Sequence, residues 1–333
     1  MDAQTSAQVA KGQMLTHEYV ASLLPERPRD ANKGTFGKAF IVAGSINYVG
    51  AAALATQGAL RVGTGLVTLG CPGDLLGILA AKLTESTFLP LPSDLGALGS
   101  HAVEKLYDAL TDYNALLVGC GLGKDKETAA FIRNLFTRPT SSSAPSSRPI
   151  GFAARASAAQ DAGSAPGTLP LLVLDGDALN LLAEWDQWQG AVPEGTILTP
   201  HPGEMARLLS STVEEVQSDR VGIASRAAAR WKLVVVLKGA STVIARPDGR
   251  VFISPFATPA LATAGSGDVL AGAIAGFLAQ GLDPVAAACA GVYLHGLAGD
   301  MLEREYGPAG GLAGDLPVLL ARAQRDVRER GRG

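Results

Sequence analysis

The sequence predicts an α/β protein with a mostly parallel central sheet covered by helices on both faces. Three observations carry that expectation. Short β-branched or aliphatic runs alternate with helical patterns along the chain. The runs are almost continuously apolar, as strands buried on both faces are. The 333 residues are 47% hydrophobic and 18% charged, enough apolar material for a large core in one big domain or two ordinary ones.

In chain order the predicted strands are "KAFIVAG" (38–44), "GLVTLGC" (65–71), "ALLVGC" (115–120), "PLLVLD" (170–175), "TILTP" (196–200) and "LVVVLKG" (233–239). "TVIAR" (242–246) and "VFISP" (251–255) flank Pro247-Asp248-Gly249 and should form a hairpin. Helices are predicted over 50–62, 101–111, 125–137, 203–209, 218–230, 268–280 and 284–301. Residues 138–169 break the rhythm with serine, alanine, proline and glycine in no period, and read as a flexible insertion within one domain, or as a linker between two. The expected organisation is a tail over 1–14, a single catalytic domain over 15–323 and a second tail over 324–333.

The formal net charge is −3 with scattered basic residues, so no electrostatic footprint for nucleic acid or an anionic membrane exists, and a small-molecule partner is favoured. No signal-like run opens the chain, and the longest apolar stretches, such as 269–279, fall short of the roughly 20 residues of a membrane span. A cytoplasmic protein is expected. Cys71, Cys120 and Cys289 are far apart and without CxxC spacing, which reads as buried reduced thiols.

Loops after parallel strands are where ligands bind. In "TAGSGDVLAG" (263–272), Gly265 and Gly267 let backbone approach a ligand, and the following helix aims its positive end there, an anion hole suited to phosphate. Asp268 reads as a functional carboxylate or as the helix N-cap. In "GCGLG" (119–123), Gly119, Gly121 and Gly123 lack the third glycine of a dinucleotide fingerprint and are equally well a tight turn. In "LDGDALNLL", Asp175 and Asp177 either hold Mg²⁺ beside phosphates or cap a helix. His201 stands between two prolines with Glu204 in the following turn. Lys238 ends a strand whose apolar run reads as buried, and is either placed to meet a nucleotide's phosphates or a solvated surface lysine, while His17, His101 and His295 have no comparable setting and read as surface or core residues.

Together, "KGTFGKAFIVAGSINYVGAAALATQGALRVGTGLVTL" (33–69), "GCGLG", "LDGDALNLL", "LTPHPGEMARL" (198–208), "VVVLKGAST" and the segment 263–300 resemble the ADP-dependent NAD(P)H-hydrate dehydratase family of the ribokinase-like superfamily. The resemblance implies a three-layer α/β/α sandwich and a lyase on a kinase scaffold. ADP, or ATP, would phosphorylate the C6 hydroxyl of hydrated NADH or NADPH (the S epimer), and loss of phosphate would restore the ring. It assigns catalysis to Asp268 with Gly265 and Gly267. The hydrated dinucleotide would meet Ala51, Gly121, Gly123, His201 and Asp268. The nucleotide would meet Lys238, Gly239, Ala240, Ser241, Thr242 and Gly267. It also implies a homo-oligomer, a tetramer above others, while the roughly thirty residues before Lys33 are expected to be too few for the epimerase domain many relatives carry. Three rivals remain: a ribokinase-like kinase of a vitamin precursor or sugar, an NAD-dependent dehydrogenase, and a non-catalytic nucleotide sensor. "TPHPGE" and "KGTFGK" favour the dehydratase over the kinase.

Overall fold

A computed structural model describes residues 12–137 and 168–330. Among these residues ten strands form one sheet in the order β1-β12-β11-β10-β9-β8-β7-β2-β3-β4. They are β1 (Gln13–Met14), β2 (Lys38–Val42), β3 (Leu66–Pro72), β4 (Thr87–Leu91), β7 (Ala115–Val118), β8 (Leu171–Leu174), β9 (Ile197–Leu198), β10 (Val234–Leu237), β11 (Val243–Ala245) and β12 (Val251–Ile253); β5 (Ser93–Asp94) and β6 (Ala97–Leu98) pair separately. Every neighbouring pair in the large sheet is parallel except the two that involve β11, so the 243–253 hairpin forms as expected.

Among the described residues, twelve α-helices cover the sheet. They are α1 (His17–Leu23), α2 (Val49–Arg61), α3 (Leu76–Ala80), α4 (Ala102–Ala109), α5 (Lys126–Thr137), α6 (Asp177–Ala183), α7 (Pro202–Leu209), α8 (Val213–Ser218), α9 (Arg220–Trp231), α10 (Ser266–Ala279), α11 (Pro284–Tyr306) and α12 (Leu316–Arg330). The continuous apolarity of the strands has the cause expected of it. In β2, Ala39 and Ile41 pack under α2, α10 and α11, whereas Phe40 and Val42 face the opposite core with α4, α5 and α6. Successive side chains point to opposite faces, and both faces are dry.

The chain passes from β2 outward to β3 and β4, then returns to lay β7 on the other flank of β2. That reversal opens a crevice at the carboxyl ends of β2 and β7, the place where open α/β sheets bind ligands. Across it, α2 and α10 pack so closely that a Cβ on Gly272 would lie 1.9 Å from the Ala55 carbonyl oxygen. Gly272 and Gly276, further along α10, therefore serve close packing, against Ala55 and Val62.

Several boundaries differ from expectation. The C-terminal segment from 324 is no tail: α12 runs to Arg330 and buries Gln324 and Val327. Its apolar stripe, Leu316, Leu319, Leu320, Ala323 and Val327, has helical spacing but is diluted by arginines. Gln13 and Met14, expected to be loose, pair with Phe252 and Ile253. The helix predicted over 218–230 forms as Arg220–Trp231, capped by Asp219, whose side chain accepts the Gly222 amide at 2.9 Å, and an unexpected helix, Val213–Ser218, precedes it. The insertion over 138–169 lies, except for Thr168 and Leu169, outside the described residues. Helix α11 is, by length and composition, apolar enough to cross a membrane, yet most of its apolar window is buried against its neighbours, as a core helix requires.

Candidate active site

The predicted functional loops converge. Gly265 adopts φ +94°, a left-handed conformation that suits glycine, and a Cβ there would lie 2.5 Å from Leu54. It is the N-cap of α10, and no side chain caps that end. The Ser266 amide donates to the Thr263 carbonyl at 3.3 Å; the amides that follow, with the helix dipole, point where an anion could be received. Asp268 is the third helical residue and is not the N-cap, which corrects the capping alternative: its carboxylate is turned elsewhere.

That carboxylate meets Cys120 and Asp175; one donor atom from each of the three lies within 4.8 Å of the others. Burial, reinforced by the negative charge of Asp175, pushes the Asp268 carboxyl up to about 7, against the opposing Cys120 hydrogen bond and Lys238 charge. A carboxylate so poised can accept a proton near neutrality. Cys120 is fully buried and its thiol is pushed well up by burial, so it stays protonated and donates to Asp175 Oδ2 at 3.6 Å.

Asp175 is held on its other side. Its Oδ1 accepts from Lys238 Nζ at 2.6 Å and from Thr199 Oγ1 at 2.6 Å. Lys238 Nζ also lies 3.8 Å from Glu204 Oε2. Burial alone would lower the Lys238 ammonium, but Asp175 and Glu204 outweigh it and raise it. Glu204, whose Oε2 accepts the His201 amide at 2.8 Å, is pushed up to about 7 by burial, partly offset by Lys238. The row Asp268, Asp175, Lys238, Glu204 thus joins four strand-end loops.

Asp177 takes a different partner: its Oδ2 accepts the Gly123 amide at 2.9 Å, and Lys124 Nζ is 4.0 Å from Oδ1. The expected Mg²⁺ pair therefore does not fit a direct cradle, because Asp175 is neutralised by lysine and Asp177 by backbone and lysine. Gly121 (φ +65°) packs on Ala51 and Tyr48, where its missing Cβ would come within 2.7 Å of the Ala51 Cβ. His201 closes the first turn of α7: its Nδ1 accepts the Gly203 amide at 3.0 Å, and Nε2 lies 3.4 Å from Glu204 Oε1. Burial, aided by Lys238 and Arg207, lowers the imidazole and keeps it neutral.

Two cavities flank this row. One of about 450 Å³ is lined by Lys238, Gly239, Ala240, Thr242 and Gly267 with apolar walls of Phe256, Leu261, Leu270 and Val292. Arg220 fixes its floor, donating to the Leu237 and Lys238 carbonyls at 3.0 and 3.2 Å and to Ala240. The other, about 740 Å³, is lined by Ser45, Tyr48, Asp94, Gly123, Lys124, Asp125 and Asp177 among others. Sequence reasoning missed Thr199, Glu204 and Arg220. Glu204 carried a signal, three residues after His201 in a capping-box spacing; Arg220 carried none, since its partners are backbone atoms.

The fold and the site together define a ribokinase-like α/β protein with a glycine-turn anion site and an acidic residue behind it; a hydroxyethylthiazole kinase from Pyrococcus horikoshii, 14% identical, shares the fold with a TM-score of 0.57. Within that class a family model for NAD(P)H-hydrate dehydratase matches residues 39–142 and 155–320, and the chain belongs to that family. The chain is similar to a bifunctional NAD(P)H-hydrate repair enzyme of Moorella thermoacetica, 40% identical over 95% of this chain and 54% of that one. It is also similar to an ADP-dependent (S)-NAD(P)H-hydrate dehydratase of Neisseria meningitidis, 35% identical over 91% of this chain and 89% of the relative. The chain spans about half the length of the bifunctional relatives it matches. A Bacillus subtilis ADP/ATP-dependent NAD(P)H-hydrate dehydratase, crystallised with ATP and Mg²⁺, superposes with a TM-score of 0.75 at 30% identity, covering 95% of this chain and 99% of that one.

Proposed function

We propose that this protein restores NADH and NADPH from their S hydrates, using ADP or ATP. The supporting observation is Asp268: a carboxyl raised to about 7, in the first turn of α10, directly after Gly267, which lines the smaller cavity, and close enough to Asp177, which lines the larger, to feel its charge. In this reading the nucleotide occupies the smaller cavity along Lys238–Thr242, with its terminal phosphoryl group at the α10 amides. The hydrated dinucleotide occupies the larger one near Gly123 and Tyr48. Asp268 accepts the C6 hydroxyl proton as the oxygen attacks the terminal phosphorus, and the shortened nucleotide leaves. The lone pair of the ring nitrogen then expels phosphate from C6, leaving an N1=C6 iminium; loss of a C5 proton to water places the C5–H electron pair in the C5–C6 double bond and returns the nitrogen its lone pair. Positioning and fixed charge suffice for such a transfer. Mg²⁺, if used, would arrive with the nucleotide phosphates and supply charge neutralisation there.

The test is to mix the purified protein with NADHX, Mg²⁺ and either ADP or ATP and to follow the return of NADH absorbance. Recovery that depends on a nucleotide is expected. Absence of recovery with either nucleotide, from protein that binds both ligands, overturns the reading. Light scattering in the same preparation tests the expected homo-oligomer, a tetramer.

A further inference from the structure

The histidine at 295 was expected to be a surface or core residue with no special setting, and its position is more informative than that. It lies on α11, is 7% exposed, lines the smaller cavity, and its Nε2 is 2.9 Å from the carbonyl oxygen of Ser266. A carbonyl can only accept, so Nε2 carries the hydrogen and donates it. Burial pushes the imidazole down to about 4, so the ring is neutral and carries a single N–H. Ser266 is the first residue of α10, between the two glycines of the anion turn. Its carbonyl is one that the helix itself uses, four residues on, so the imidazole is a second donor on an occupied acceptor and its contribution is directional.

The same face of α11 shapes the loop beside the turn. A Cβ on Gly296 would lie 2.4 Å from Phe256, and one on Gly299 would lie 2.6 Å from Leu261. One turn further, Glu303 accepts the Thr258 hydroxyl, which itself accepts the Ala260 amide at 3.2 Å. Helix α11 therefore touches the cavity wall by close approach at two positions and by hydrogen bonds at two, and only His295 reaches the phosphate turn itself.

We infer that His295 is a positioning residue: its Nε2–H···O bond to Ser266 holds the Gly265–Asp268 turn, and with it the anion-binding amides and the Asp268 carboxylate, in register with the nucleotide cavity. This inference rests on the reading that an adenine nucleotide fills that cavity. The residue would act on phosphoryl transfer through the backbone and without touching the reacting atoms.

The experiment compares His295→Ala, which removes the donor, with His295→Gln, whose terminal amide can place an N–H near the Nε2 position. Three quantities are read for each: ADP affinity by calorimetry without the second substrate, kcat and KM with NADHX, and the melting temperature. For His295→Ala, kcat should fall about 10- to 100-fold, the range a small misplacement of reacting groups costs, with the KM for NADHX changed less than threefold. ADP affinity should fall about five- to tenfold, and His295→Gln should recover most of both losses. Turnover within about twofold of wild type in the Ala variant overturns the inference, as does a Gln variant that matches the wild-type melting temperature while remaining as impaired as Ala. Should Ala fail to fold, His295→Asn and His295→Gln, which differ in reach by one methylene, decide the same point: equal losses count against it. If the wild-type protein shows no NADHX turnover, the proposed function fails, and the ADP affinities of the variants still decide the role of His295.

Discussion

The two cavities at the carboxyl ends of the strands differ in wall chemistry more than in position. The smaller has aliphatic and aromatic walls and a single end lined by Lys238 and the glycine turn; the larger is ringed by Asp94, Asp125, Glu127, Asp177, Lys124 and Lys126, with Tyr48 beside them. An apolar slot with one anion-binding end suits a base joined to a short phosphate chain. An open, charged cleft suits a larger polar ligand whose contacts are mostly hydrogen bonds and water-mediated. What the difference teaches is that Asp268 belongs to neither cavity alone. It sits at a junction of loops with Cys120 and Asp175, where burial lifts its carboxyl; its neighbour Gly267 lines the smaller cavity, and Asp177, whose charge acts on it, lines the larger.

The largest expected effect follows from that junction. Asp268→Asn should cut turnover at least about 100-fold while ADP still binds, because the amide cannot take the proton. In the wild type, turnover should rise with pH through about 7, as the carboxyl ionises, and then level off. The stability sign is the opposite. A carboxyl whose folded value is raised contributes stability below its unfolded pKa, lost as pH rises through about 7. The Asn variant should accordingly melt at or above the wild-type temperature at pH 8. A variant that keeps near wild-type turnover would leave the turn an anion site without a base.

Lys238→Met should break the charge row. It leaves the buried Asp175 and Glu204 without their cation, and loss of one partner of a buried pair costs about 3–5 kcal/mol. Urea denaturation should show that loss together with weaker ADP binding; unchanged stability with lost ADP affinity would make Lys238 a ligand contact alone.

The comparison sharpens with variants outside the smaller cavity, the first at Gly121, which packs on Tyr48 of the larger one. Gly121→Ala needs a side chain at φ +65°, 2.6 Å from the Tyr48 Cβ, so the KM for the hydrated dinucleotide should rise about tenfold by disturbed positioning while ADP affinity stays. Equal loss of both ligands would mean the two cavities move as one. His201→Ala should do least. The cap bond to Gly203 is lost, worth about 1 kcal/mol, and the dinucleotide KM should rise with little change in ADP binding. A fall in ADP affinity as large as the rise in KM would place His201 with the nucleotide.

Much of this was legible in the chain. The strands announced themselves because parallel strands are apolar throughout, and the glycine turn because Gly265 stands where a left-handed residue must precede a helix. Helix α12 was missed because its arginines masked a correct apolar period, and β4 because Thr87–Leu91, with Pro90 inside it, lies at the sheet edge, half-buried. By itself the sequence determined the fold class, the order of the functional loops and the residue types they carry, since each depends on period, turn chemistry and neighbours within a few positions. The tertiary structure decided which loops meet. Asp175 faces Lys238, 63 residues away, where sequence spacing paired it with Asp177; His295 reaches Ser266, 29 residues away. Those contacts form across strands and between helices; they raise the Asp268 carboxyl through burial and keep Lys238 charged through Asp175 and Glu204, which no local pattern of residues encodes.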